Sequence, residues 1–213
     1  MKIDFVSDVS CPWCIIGLKS LLQAIERLGP DLQVQLHFQP FELNPRMPAG
    51  GQDLDEHLHE KYGSTPAQTA GVREAIRQRG AELGFRFDLQ ARSRIYNTFD
   101  CHRLLHWAGQ QSAKAQLALK LALFEAYFTA GRNPGDKALM LELVANCGLD
   151  AEAARAVLDS EAFADEVRQR EAFYHQHNIH SVPSVIINDR HLVQGGQEPH
   201  VYEQVLRQLS QEA

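Results

Sequence analysis

The chain opens on a short run in which Ile3, Phe5 and Val9 are apolar and Val6 lies on the other face, ending at Ser7-Asp8. That alternation predicts a strand. From Leu18 the period changes. Leu18, Leu21, Leu22, Ile25 and Leu28 recur three and four residues apart, which predicts a helix stopped by Gly29-Pro30. Val34, Leu36 and Phe38 then alternate with Gln35 and His37, a second strand ended by Pro40. Asn44-Pro45, Met47-Pro48 and Gly50-Gly51 mark a loop.

From Asp53 to about Gln169 the period is helical, with segments near 53–62, 66–82, 98–110, 113–130, 136–147, 151–158 and 161–178. Asp136 suits a helix start and Cys147-Gly148 a helix stop. Leu117, Leu121, Phe124 and Phe128 are expected to face the core. After Ile179 strands return at Val185–Ile187 and His191–Val193, turned by Asn188-Asp189. Gly195-Gly196 leads into a last helix with Val201, Val205 and Leu209 on one face. The plan is βαβ, a helical block, then ββα: an α/β chain with a small mixed sheet and an all-helical insertion. The expected divisions are residues 1–48, 49–168 and 169–213.

Of the 213 residues 44% are hydrophobic and 23% charged, an ordinary globular balance. A chain of this length buries about 70% of its unfolded surface, so it needs no disulfide scaffold. The net charge of −6 disfavours nucleic acid and anionic membranes as partners. The richest apolar stretch, Leu117 to Phe128, is broken by Lys120 and Glu125, so no membrane span is expected. Met1 to Asp8 has no apolar signal region, and a cytoplasmic protein is the expectation.

Candidate chemistry begins with Cys11-Pro12-Trp13-Cys14, placed after a strand and at the opening of a helix. A thiolate is the reactive form of cysteine, and a helix N-terminus favours negative charge. Cys14 lies one turn on, on the same side, and Pro12 suits the first turn. The pair therefore reads as an attacking and a resolving thiol in disulfide exchange. A structural zinc site needs four N or S ligands, and no second close cysteine pair exists. Cys101 and Cys147 read as buried structural thiols. A second signal is Val182-Pro183 before a β-branched run; a proline there belongs at a strand edge or a special turn, which a cis bond would serve.

Further residues extend the pattern: Ser7 to Cys14 with Gly17, Phe41-Glu42-Leu43-Asn44-Pro45, Asn97-Thr98, His102-Arg103-Leu104, Leu123 to Phe128, Val182-Pro183 and Gly195-Gly196-Gln197. With these the chain resembles the thioredoxin superfamily, and within it the DsbA-like oxidoreductases of the FrnE type. The resemblance implies a thioredoxin fold interrupted by helices. It implies Cys11 as nucleophile, Cys14 as resolving thiol, Pro12 and Trp13 as the dipeptide tuning the pair, and a cis Pro183 facing it. It also implies that the backbone of Val182 pairs with an extended substrate segment, as in strand addition. Asn97 and His102 are expected to line the groove, His102 biasing the thiolate as a cation, and Trp13 to cover the pair. Three positions depart from the usual pattern: Ser181 stands for glycine, Ser184 for an aromatic residue, and Cys101 for alanine.

The leading function is therefore a dithiol–disulfide oxidoreductase acting on a disulfide-containing protein or a low-molecular-weight thiol. It needs no metal and no resident cofactor, with glutathione as a co-substrate at most. The alternative is a glutathione-dependent isomerase or transferase of the 2-hydroxychromene-2-carboxylate isomerase type, which would not need Cys14. A non-enzymatic chaperone module is a third class. Oligomeric state is not readable from the sequence.

Overall fold

The computed structural model describes residues 1–88 and 90–211. Four strands form one mixed sheet in the order β2-β1-β5-β6: β1 (Lys2–Ser7), β2 (Gln35–Pro40), β5 (Ser184–Ile187) and β6 (His191–Gln194). β1 runs parallel to β2 and antiparallel to β5, with Phe5 opposite both Phe38 and Val185. It is buried on both sides from Ile3 to Ser7, with Asp4 and Ser7 among the buried residues. Ile3 and Phe5 pack with α1 (Pro12–Leu28) and α9 (Pro199–Gln211). Val6 points the other way, onto Phe41, Tyr174 and Ile179. The sheet with α1 and α9 is the βαβ…ββα frame that the periodicity predicts.

Between β2 and β5 run α2 (Leu54–Tyr62), α3 (Pro66–Glu82), α4 (Phe99–Gln111), α5 (Ala113–Phe124), α6 (Lys137–Asn146), α7 (Ala151–Leu158) and α8 (Ala164–Gln176). α4 to α7 enclose a core of their own, built on Leu104, Trp107, Leu119, Leu123, Met140 and Val144. The insertion is not wholly helical. Gln52–Asp53 (β3) and Arg94–Ile95 (β4) pair antiparallel, a ribbon too short to leave a periodic trace in sequence. The helix predicted over 113–130 changes at its end into a π-helical turn, Glu125–Thr129. The last expected division, 169–213, runs past the described residues at 212 and 213.

Two polar side chains join this block to the frame and to itself. β2 is an edge strand, whose outer backbone groups need partners. Gln116 of α5 accepts from the Phe38 N–H at 3.1 Å and donates to the Leu105 carbonyl at 2.9 Å. Gly109 makes room for it, since a Cβ there would lie 2.6 Å from the Gln116 amide nitrogen. Arg103, 4% exposed, donates to the carbonyls of Val157 (2.5 Å), Ala162 (2.9 Å) and Ser160, and to Asp100 at 2.8 Å. It closes the end of α7 against α4.

Arg103→Ala strands three carbonyls inside that corner. It should lower unfolding free energy by about 3 kcal/mol, since charge-assisted bonds and stranded acceptors each weigh 1–3 kcal/mol. Chemical denaturation checks this; a loss under about 0.5 kcal/mol would show that the carbonyls find other partners.

Candidate active site

The end of β1 turns at Asp8 into the first turn of α1. The Asp8 side chain accepts from the Ser10 N–H at 3.0 Å, a local turn that the side chain itself closes. Cys11 is then the cap residue of α1, in extended conformation, with Pro12 at the first helical position. The Cys11 N–H reaches the Asp8 carbonyl at 3.2 Å and the Cys14 N–H the Cys11 carbonyl at 3.1 Å. Both cysteines are free thiols.

They differ in depth. Cys11 is 4% exposed and lines a cleft of about 970 Å³, while Cys14 is fully buried beneath it. The Cys11 thiol donates to the Val182 carbonyl at 3.6 Å. Burial pushes the Cys14 thiol well up, with a further rise from the hydrogen bond and charge of Cys11; Lys120 pulls the other way. The Val182–Pro183 peptide is cis. Gly17 on α1 permits the approach of Pro183, since a Cβ there would sit 2.9 Å from the proline ring. A Cβ at Gly196 would lie 3.2 Å from Trp13, which is 37% exposed at the cleft mouth. The Ser184 hydroxyl donates to the backbone carbonyl of Ser181 at 2.9 Å across the Val182-Pro183 turn. The Cys101 thiol donates to the Pro134 carbonyl at 3.1 Å, and burial raises its pKa.

The cleft runs between the cysteine turn and the hairpin of α2 and α3. Leu54, Leu58, Tyr62 and Val72 make one wall; His57, Lys61, Arg73 and Arg92 add basic groups. Lys61 donates to the Leu43 carbonyl (2.8 Å) and to Asn44 (2.7 Å), and Arg92 to the Ser10 carbonyl (3.3 Å). The guanidinium of Arg92 lies 4.7 Å from the centre of the Tyr127 ring and 4.9 Å from that of Phe128. The π-helical turn thus holds the arginine that braces the cysteine loop. Among the described residues no group of His, Cys, Asp and Glu is placed to hold a metal ion.

Cys11, Pro12, Trp13 and Val182 come together at the cleft. Asn97 and His102 do not line it, against expectation. The Asn97 amide is committed to the Met47 carbonyl (3.2 Å) and accepts from the Phe99 N–H (2.9 Å) at the start of α4. His102 is 3% exposed, and its Nε2 lies 3.7 Å from Asp8 Oδ1. Both support the site from below. The residue that sequence reasoning missed is Asp8 itself. It is fully buried and also accepts from Ser10 Oγ (2.9 Å), the Leu43 N–H (2.7 Å) and Thr98 Oγ1 (2.8 Å). Its signal was present, an acidic residue two before a serine at a strand end, where it looked like an ordinary turn former.

Burial alone would raise the Asp8 carboxyl. The neighbouring His102 ring and then the Ser10 and Leu43 amides reverse this and hold it at about 2, below the ordinary 3.8. The folded state therefore favours the ionised group, worth about 2 kcal/mol at neutral pH. That contribution is complete above about pH 4 and is lost as the pH falls toward 2. Asp8→Asn removes the titrating group, so between pH 5 and pH 2 its unfolding free energy should fall by about 2 kcal/mol less than that of the unaltered chain. Parallel curves in urea titrations would count against this.

A family model described as the DSBA-like thioredoxin domain matches residues 2–207. Among solved structures, the probable DsbA oxidoreductase SCO1869 of Streptomyces coelicolor is 32% identical with a TM-score of 0.89, over 100% of this chain and 91% of that one. A 2-hydroxychromene-2-carboxylate isomerase shares the fold at 15% identity and a TM-score of 0.73, over 100% and 97%. So does the cytosolic disulfide reductase DsbM of Pseudomonas aeruginosa, solved with glutathione, at 16% identity and 0.67, over 99% and 100%. With the family model spanning almost the whole chain and the thioredoxin frame carrying the cysteine turn, the chain belongs to the DSBA-like thioredoxin domain family.

Proposed function

We propose that the chain is a dithiol–disulfide oxidoreductase that works through Cys11 and Cys14. The observation that carries this reading is the difference in depth: Cys11 sits at the cleft floor against the Val182 carbonyl, with Cys14 sealed directly below. The Cys11 thiolate attacks a substrate disulfide and expels one thiolate. Cys14 then attacks the Cys11 sulfur and releases the second. An extended substrate segment lies along the backbone at Val182, and Trp13 contacts it at the mouth. Substrates are a disulfide-containing protein or a low-molecular-weight disulfide, with glutathione as co-substrate and no resident cofactor. The similar fold of DsbM, a cytosolic disulfide reductase, supports a cytoplasmic setting. No described helix is long and apolar enough to cross a membrane. A glutathione poise would keep a DsbA-like oxidising pair reduced there, which favours reduction or isomerisation over net oxidation.

The test is equilibration in graded glutathione buffers, alkylation of free thiols and mass measurement. The expected result is a reversible loss of two thiols per chain, abolished in Cys11→Ser, with the Cys101 thiol unreacted throughout. One stable glutathione on Cys11 and no part for Cys14 would overturn the proposal in favour of the isomerase or transferase reading.

A further inference from the structure

The cleft carries a charge that the chain as a whole does not. The sequence holds 27 acidic residues against 21 Lys and Arg, a net −6. Two cations of the cleft are nevertheless tied to the backbone beside the cysteine turn, Lys61 of α2 and Arg92 before β4. Lys61 donates to the Leu43 carbonyl at 2.8 Å and to Asn44 Oδ1 at 2.7 Å, and the Leu43 N–H is the one that Asp8 holds at 2.7 Å. Arg92 donates at 3.3 Å to the carbonyl of Ser10, the residue before Cys11. These acceptors are neutral, so neither charge is cancelled by an opposite one. An ammonium has three donors, and Lys61 uses two of them. The Nε of Arg92 is buried without an acceptor among the described residues. Arg73, a further cation of the wall, is already paired with Asp55 at 2.5 Å. Glu42 is the one carboxylate among the described lining residues, and Arg168, outside the cleft, takes it.

Apolar surface is concentrated at the same place. Five large apolar side chains are exposed among the described residues: Trp13, Tyr62, Val72, Phe173 and Leu192. The first three line the cleft. Lys61 Nζ lies 5.5 Å from the centre of the Tyr62 ring, so the free charge and the apolar wall adjoin. The cleft volume of about 970 Å³ stands at the upper limit of pockets that enclose a small ligand, about 300–1,000 Å³. A polypeptide segment that offers both carboxylate and apolar side chains complements this lining better than one compact thiol.

We propose that the cleft selects a substrate disulfide set in an acidic, extended protein segment. The inference rests on the dithiol reading above and names its substrate class. A carboxylate beside the substrate cysteine accepts the remaining N–H of Lys61, a charge-assisted contact. An apolar side chain of the same segment covers Tyr62 and Val72. Successive side chains of an extended segment leave on alternate sides, so one enters the apolar wall while its neighbour meets the cation. Arg92 adds its field, and together the two cations draw an acidic segment toward Cys11 before contact.

Two short peptides test this. Each carries a disulfide between two cysteines and one phenylalanine; glutamates flank the cysteines in one peptide and lysines in the other. The reduced chain passes two electrons to the peptide, so the Cys11–Cys14 bond forms as the peptide disulfide opens to two thiols. Alkylation and mass measurement give the rate, divided by the rate of the same peptide with dithiothreitol. At about 20 mM salt the glutamate peptide should react at least about tenfold faster, the low end of electrostatic steering. At about 500 mM salt that ratio should shrink several-fold. Lys61→Gln should cut the ratio about fivefold, and Lys61→Arg should keep it. The ratio is the readout because a charge that only steadied the Cys11 thiolate would change both rates alike. Such a parallel change in Lys61→Gln would overturn the role of Lys61. A ratio near one in the unaltered chain, or a faster reaction with oxidised glutathione than with the glutamate peptide, would overturn the acidic segment and leave the dithiol reading standing. No Cys11–Cys14 disulfide with any of the three oxidants would overturn the dithiol reading, and this inference with it.

Discussion

The structure around the cysteine turn depends on one buried carboxylate. Asp8 is fully removed from water, and an ion in that position costs several kcal/mol unless donors replace its hydration. Its donors come from three separate stretches of chain: Ser10 in the cysteine turn, Leu43 after β2, and Thr98 with His102 at the start of α4. Each would leave the charge short of a partner if it moved. The carboxylate therefore fixes the direction in which α1 begins, hence where Cys11 faces. It also fixes how the insertion sits on the frame.

The same logic explains why so much of the chain between β2 and β5 lies near the site. α2 and α3 supply the apolar wall of the cleft. The π-helical turn presents Tyr127 and Phe128 to Arg92, which holds the Ser10 carbonyl from the opposite side to Asp8. Glu42, next to the Leu43 donor, pairs with Arg168 of α8, and Arg168 stacks at 3.7 Å on Phe99, beside the Thr98 donor. Arg168 thus ties together two of the three stretches that Asp8 joins, and Arg92 braces the third.

Most of the fold was legible because burial imposes period. β1, β2, β5 and β6 alternate or run apolar, and the helices keep spacings of three and four with caps at Asp136 and Gly148. The two-residue strands β3 and β4 were illegible, being shorter than any period. The cysteine pair and Val182-Pro183 were legible because few other roles place those residues after a strand. Asn97 and His102 were misplaced because a polar residue near a groove looks the same in sequence whether it faces the groove or braces it. Only the committed partners, Met47 and Asp8, distinguish the two.

The apolar stripe of α5 is legible only in part. Leu117, Leu121, Phe124 and Phe128 have the spacing of a core face, but Leu117 and Leu121 are only half-buried. The deepest positions are Gln116, Leu119, Lys120, Leu123 and Phe124, one step around the helix. Hydropathy alone marked only part of the buried face, because two polar residues occupy the rest; Phe124 and Phe128 are fully buried, and Leu117 and Leu121 pack against the same core. Gln116 is there to bond the edge of β2. Lys120 places its Nζ over the rings of Phe124 and Phe38. Local stability and helical pattern both favour an apolar residue at that position.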